Sequence, residues 1–137
     1  MIVREIKYRA LDVATKKWVY GYYVVLDSGY ELVDCIWQLG AKLATPIDRS
    51  TLGQLTGLTD KNGKEIYEGD IVKAWNRGIS GIFQVKWRND GVPMYILFPA
   101  WQDGEFWNLY DNGSGIDGGI EVIGNIYQHK DLLKEKN

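Results

Sequence analysis

The chain has 137 residues, a length typical of one domain and sufficient for a hydrophobic core without disulfide or metal support. Sixteen Lys and Arg against eighteen Asp and Glu give a formal net charge of −2, so binding to nucleic acid or to an anionic membrane would require a local patch. The single cysteine and single histidine, Cys35 and His129, exclude an internal disulfide and a structural zinc site built only from Cys and His.

The sequence shows no sign of a membrane or export segment. No apolar run approaches the ~20 residues that span a bilayer. Residues 1–10 carry four charged side chains and lack the apolar centre of a secretory signal. Together with the lone thiol, these features predict a cytoplasmic protein without a membrane partner.

In the first half of the chain, period-two alternation and aromatic or β-branched residues predict strands over residues 3–11, 18–26 and 30–37. The second and third strands should form a hairpin around a turn at residues 27–29. The first strand is expected to have one wet face, which carries Glu5, Lys7 and Arg9. Residues 38–49 are predicted to be irregular, because Gly40 and Pro46 interrupt them.

In the second half, a turn over residues 60–63 precedes further short strands. They are predicted over residues 65–67, 71–75, 82–88, 94–98 and 120–127. Residues 101–119 are rich in Gly and acidic side chains and predict a surface loop with a short strand near 106–109. Residues 129–136 predict a short C-terminal helix.

Three stretches stand out in chain order: residues 4–10 with 18–21, residues 54–72, and residues 122–127. The middle stretch, QLTGLTDKNGKEIYEGDIV, is long and specific. In these stretches the chain resembles the YopX-like family of small bacteriophage and prophage proteins. The resemblance implies a phage-encoded or prophage-encoded protein of largely β structure that acts inside a bacterial host. It implies no established activity.

The stretch from residue 67 to 73, followed by Gly81 at the head of an amphipathic strand, resembles the opening of SH3-like barrels. We therefore expect a mainly β fold with twisted antiparallel strands, an SH3-like half-barrel over residues 65–127 and a short C-terminal helix. Residues 1–137 should form a single YopX-like domain. A join near residues 38–50 leaves open a division into lobes 1–50 and 51–137.

The middle stretch also contains three carboxylates, Glu65, Glu68 and Asp70. Such a group could hold a hard cation such as Mg²⁺ and serve a metal-dependent hydrolase. No base, nucleophile or phosphate-binding loop accompanies them. Turns and strands are the preferred interpretation, so we expect no catalytic residue, metal or cofactor.

A basic and aromatic hairpin is the second candidate site. Lys73, Trp75 and Arg77 share parity on one predicted strand, and Lys86 and Arg88 lie on the wet face of the next. Cations can contact phosphates while Trp stacks on bases. The alternative is a solvated face whose long stems cover the barrel.

Three smaller features are more readily explained by structure than by function. Residues 113–118 partly match the G-x-G-x-D pattern of calcium-binding repeats, but one copy predicts a loop. His129 follows the last strand and is expected at the surface near a helix start. Cys35 alternates with Val33 and Trp37 and is expected in the core.

The strand over residues 18–26 is apolar on both faces. Tyr20 and Tyr22 share one face with Trp18, while Tyr23 and Val25 share the other. One face therefore needs a cover, and Tyr and Trp are enriched at protein interfaces. We expect a homo-oligomer. The leading hypothesis is a non-enzymatic phage accessory protein that self-associates and binds another protein; a nucleic-acid-binding module is the alternative.

Overall fold

The computed structural model describes residues 5–76, 78–102, 104–109 and 119–134. Within these ranges the chain is mainly β, with strands and one short C-terminal helix at the following positions: β1 Tyr8–Asp12, β2 Trp18–Asp27, β3 Leu32–Trp37, β4 Thr45–Thr59, β5 Glu65–Tyr67, β6 Asp70–Asn76, β7 Ile79–Arg88, β8 Met94–Gln102, β9 Glu105–Asn108, β10 Gly119–Asn125 and α1 Asp131–Lys134.

The chain divides into two compact units, Met1–Leu55 and Thr56–Asn137. The division falls inside β4, the longest strand at 15 residues. The division into lobes 1–50 and 51–137, which the sequence left open, would also fall inside β4.

The first unit contains a closed ring of four antiparallel strands. β1 pairs with β2 and β4, and β3 pairs with β2 and β4 as well. The interior holds the buried side chains of Ala10, Ile36 and Ile47, against which Val19 and Tyr23 pack. Residues opposite each other across a ladder share a face, so the register Ala10↔Val19 and Tyr23↔Ile36 explains why these residues meet.

The predicted hairpin between β2 and β3 is confirmed, but the wet face of β1 is wrong at Arg9. Its side chain is buried, and its guanidinium lies 4.4 Å from the centroid of the Trp18 ring. A cation can be buried when an aromatic face replaces part of its hydration. Ile6 lies within the predicted strand 3–11, but it precedes β1 and is exposed.

The structure also corrects the irregular stretch over residues 38–49, because β4 already begins at Thr45. Pro46 lies within the strand opposite Cys35, and its carbonyl accepts a hydrogen bond from the Val13 amide at 3.2 Å. Proline fits a strand wherever no amide donor is required. Gly40, by contrast, is in a turn as expected, with φ at 89°.

The second unit is built on a five-stranded antiparallel sheet of order β10-β6-β7-β8-β9. One face forms the core. Its fully buried members on the three central strands are Val72, Ala74, Val85 and Leu97. β5 and the end of β4 add Ile66 and Leu58 to this cluster, and α1 packs against β7.

The mainly β fold with a small closed barrel confirms the predicted class, an SH3-like half-barrel with a short C-terminal helix. Its position differs from the expectation: the closed ring is formed by β1–β4, whereas the strands within residues 65–127 lie in open order. Closure depends on the long-range β1–β4 ladder, which local patterns do not reveal.

Part of the predicted loop over residues 101–119 is strand, since Trp101 belongs to β8 and pairs with Phe106 of β9, and Gly119 begins β10. Residues 110–118, including the glycine-rich stretch 113–118, lie outside the described residues. Helical segments in the described ranges are too short or too polar to cross a membrane.

Candidate functional site

The predicted nucleic-acid-binding residues lie on β6 and β7 of the second sheet. Lys73 pairs with Ile82, and Trp75 pairs with Ser80. These positions alternate with the buried core residues of the same strands, so Lys73, Trp75 and Lys86 share the face opposite the core. We call this the outer face. Arg77 lies outside the described residues.

At one end of the outer face, two ammonium groups lie near one indole. The Nζ atoms of Lys61 and Lys73 are 4.8 and 5.5 Å from the centroid of the Trp75 ring. Lys61 also lies 3.7 Å from a carboxylate oxygen of Glu121. Lys61 was not predicted as part of this surface, because only folding of the 60–63 turn brings it to β6.

Farther along β7, the structure contains an open cleft of about 250 Å³ on the outer face. Its aromatic wall is formed by Phe98 and Phe106, whose ring centroids are 5.8 Å apart. The Lys86 Nζ lies 4.5 Å from the Phe98 centroid. Asn89 and Asp90 line the same cleft. Sequence reasoning found Lys86 but not these partners, which β8 and β9 supply through their register.

Arg88 is held by its neighbours rather than displayed to solvent. It donates from Nη1 to Glu105 at 2.6 Å and from Nε to the Val92 carbonyl at 3.1 Å. The hydrogen bond and charge of Arg88 lower the pKa of Glu105. Arg88 therefore ties the β7–β8 turn to β9, and its charge is already paired.

The three carboxylates Glu65, Glu68 and Asp70 do not form a metal site within the described residues. Asp70 is buried and accepts a hydrogen bond from the Tyr67 amide at 2.8 Å. This contact closes the turn between β5 and β6. The described part of the chain thus assigns Asp70 a structural role.

Asp60 organises the turn of the middle stretch. Its carboxylate accepts hydrogen bonds from the amides of Asn62 and Lys64 at 2.8 and 2.9 Å, and from the amide of Val122 at 3.0 Å. Burial raises the pKa of Asp60, but the backbone donors of Val122, Lys64 and Asn62 outweigh it and leave the pKa lowered. The turn and β10 are therefore joined through one side chain.

A second candidate surface is the ribbon, which we define as residues 22–37 of the first unit. β2 pairs with β1 only over residues 18–21, and β3 pairs with β4 only at Cys35 and Ile36. Among the described strands, the end of the hairpin (25–27 with 32–34) is thus two-stranded. Its exposed apolar side chains are Tyr22 (45%), Val25 (48%), Leu26 (47%), Tyr30 (98%) and Leu32 (71%).

Cys35 and His129 have no site around them within the described residues. Cys35 is buried, which confirms the core prediction, and burial raises the pKa of its thiol. His129 follows the last strand as expected, and its Nδ1 accepts a hydrogen bond from the Asn125 amide at 3.1 Å. This hydrogen bond holds the ring against the end of β10, so His129 stabilises the turn that follows the strand.

Comparison with known proteins identifies the family. The YopX protein family matches residues 7–134, nearly the whole chain. The chain belongs to the YopX protein family. In this YopX protein the middle stretch contains Asp60 and Asp70. Both carboxylates accept hydrogen bonds from backbone amides in turns, which explains why the stretch has a specific sequence.

A search of curated proteins finds no match. Among solved structures, the crystal structure of protein EF1440 from Enterococcus faecalis is similar, with a TM-score of 0.55 and 22% sequence identity. The match covers 96% of this chain and 99% of that one. It shows a shared fold, and neither comparison supplies a reaction.

Proposed function

We propose that this YopX protein is a non-enzymatic accessory protein of a phage or prophage. It would work in the bacterial cytoplasm as a self-associating module that binds another protein. The observation that carries the proposal is the ribbon, which exposes large apolar side chains on both of its faces.

The register separates the two apolar faces of the ribbon. Leu26 shares a face with Val33, directly opposite it, whereas Val25 shares the other face with Asp34. Tyr22 stacks on Trp37 with ring centroids 5.9 Å apart, and it adds an aromatic edge to the Leu26 face. The hairpin therefore presents one stacked aromatic pair beside the exposed aliphatic side chains of its two-stranded end.

Physical chemistry favours a second copy as the cover. An isolated two-stranded hairpin is marginally stable in water, and full burial of one Leu or Val side chain contributes about 1.5–3 kcal/mol. In a two-fold dimer the same patch meets itself, so every exposed residue of the ribbon is used twice. Tyr and Trp are also the side chains most enriched in protein interfaces.

The test is the molar mass in solution, measured by light scattering after size-exclusion chromatography. We expect the unmodified chain to have a mass well above 15.7 kDa. The double variant Val25→Lys/Leu26→Lys places one charge on each face of the ribbon and should elute with the mass of a single chain. Lysine opposes association there because burying an unpaired ammonium is strongly unfavourable.

A matched control is Ile6→Lys/Val92→Lys, which places two lysines at apolar positions that are 56% and 63% exposed outside the ribbon. This variant should keep the mass of the unmodified chain. Circular dichroism establishes that each variant is folded. A single-chain mass for the unmodified protein, or an equal loss of mass in both variants, would overturn the proposal.

A further inference from the structure

The outer face of the second sheet has a character different from that of the ribbon. It combines lysines with aromatic rings on three neighbouring strands. Lys73 and Trp75 lie on β6, Lys86 on β7 and Phe98 on β8, where Phe98 pairs with Gln84. Because opposite residues share a face, these side chains lie on the same face of the sheet.

Two of the lysines on this face contact a ring and form no ion pair within the part of the chain that the structure describes. Among the described residues, the ion pairs at this face are Lys61 with Glu121 and Arg88 with Glu105. Lys73 and Lys86 instead lie beside Trp75 and Phe98 and are exposed. Their ammonium groups are therefore available to an external anion.

The cleft beside Lys86 combines aromatic side chains with hydrogen-bonding groups, and a planar ring can bind to both. Phe98 and Phe106 together form its aromatic wall, and the exposed Trp101 meets Phe106 edge to face with centroids 4.7 Å apart. Asn89 and Asp90 offer hydrogen-bonding groups at the same opening.

We infer that the outer face binds single-stranded nucleic acid, with one base stacked in the Phe98–Phe106 cleft and its backbone phosphates near Lys86 and Lys73. Positions 82 and 86 are four residues apart on β7, and Lys73 pairs with Ile82. At ~3.3 Å per residue the two lysines are separated by roughly 13 Å along the strands. A flexible single strand of nucleic acid can place one phosphate near each lysine.

A single strand fits these observations better than a duplex. Its bases are free to leave the stack and lie against aromatic side chains, whereas a duplex keeps them paired. Stacking tolerates any base, because every base has a π-face. With two available ammonium groups, the binding should be weak at high salt and nearly independent of sequence.

The experiment measures binding of a fluorescently labelled, mixed-sequence single-stranded DNA and its RNA counterpart by anisotropy over a series of salt concentrations. The first variant is Lys73→Ala/Lys86→Ala. Since each phosphate contact on a single strand contributes ~0.7 to the slope of log affinity against log salt, loss of two contacts should make the slope shallower by about 1.4. The second variant, Phe98→Leu, should weaken binding about 5- to 150-fold, the equivalent of ~1–3 kcal/mol per stacked base.

The matched control is Lys17→Ala/Lys42→Ala, which removes the same charge from exposed lysines of the first unit. It should leave the slope unchanged. The inference is overturned if the unmodified protein does not bind either oligonucleotide at low salt, or if the control and the Lys73/Lys86 variant change the slope equally. It is also overturned if a duplex of the same sequence binds as tightly, or if Phe98→Leu, shown to be folded, binds as the unmodified chain does.

Discussion

Asp60 shows how one side chain can carry a large part of a local fold. Its two carboxylate oxygens serve three backbone amides, two within its own turn and one on β10. The neighbouring Lys61 amide adds a hydrogen bond to the Ile120 carbonyl at 2.9 Å. Hydrogen bonds to a charged group contribute about 1.5–3 kcal/mol each. Because one carboxylate binds both the turn and β10, we expect both to lose their structure together when it is removed.

We predict that Asp60→Asn lowers the free energy of unfolding by about 1.5–3 kcal/mol, because the amide nitrogen of Asn would face the Val122 donor. The exposed Asp90→Asn is the control and should change stability little. The free energies follow from urea denaturation monitored by circular dichroism. A loss at Asp60 no larger than that at Asp90 would contradict this role.

The acid dependence gives a second readout of the same residue. The folded pKa of Asp60 is lowered, so its contribution to stability is fully present above the pKa of the unfolded chain, about 3.9. The contribution is lost as the pH falls through the folded value. The unmodified chain should therefore lose more stability than Asp60→Asn between neutral pH and acid below pH ~4.

At the scale of the element, the pairing of β4 with β1 is interrupted. Its register against β1 shifts between Arg9 and Leu11, where Gly53 and Asp48 are the respective partners. The buried Thr51 lies in this bulge. Its hydroxyl accepts a hydrogen bond from the Leu11 amide at 2.8 Å and donates one to the Asp48 carbonyl at 2.6 Å. The side chain thus replaces a missing ladder contact.

We predict that Thr51→Val destabilises the chain by about 1–3 kcal/mol, the cost of a buried donor without a partner. Valine keeps the shape and removes the hydroxyl. Thr51→Ser keeps the hydroxyl and should retain most of the stability. The measurement is the denaturation midpoint of the three proteins. A loss of stability for Thr51→Val that is no larger than that for Thr51→Ser would contradict this role of the hydroxyl.

The sequence predicted most strands, because alternation and turn residues mark them locally. The hairpin of β2 and β3 and the turn at Asp60 are examples. The prediction was wrong at β4, because Pro46 is typical of an interruption between strands and because the bulge disrupts the alternation of apolar and polar residues. It also failed at Arg9, because the burial of that side chain depends on Trp18 from the next strand.

The candidate sites were predictable only in part for the same reason. Lys73, Trp75 and Lys86 follow from parity along single strands. Phe98 and Phe106 reach the cleft through the β7–β8 and β8–β9 ladders, whose registers no local pattern specifies. The ribbon was anticipated from its two apolar faces, whereas its projection beyond the four-stranded ring depends on where β1 and β4 stop pairing.

At the scale of the whole molecule, the two units offer surfaces of different chemistry. The ribbon of the first unit is apolar, and the outer face of the second combines lysines with rings. A closed ring has no free edges, so the ribbon is where the first unit can add a strand or a sheet face. We therefore expect the protein to self-associate through the ribbon.

The most direct test is amide hydrogen exchange over residues 22–37, followed by mass spectrometry at low and high protein concentrations. If a second copy covers the ribbon, exchange there should slow as the concentration rises, while exchange in β6 and β7 should stay unchanged, because protection reports the free energy of local opening. The same exchange rate in the ribbon at both concentrations, in a sample whose mass remains that of one chain, would contradict the claim.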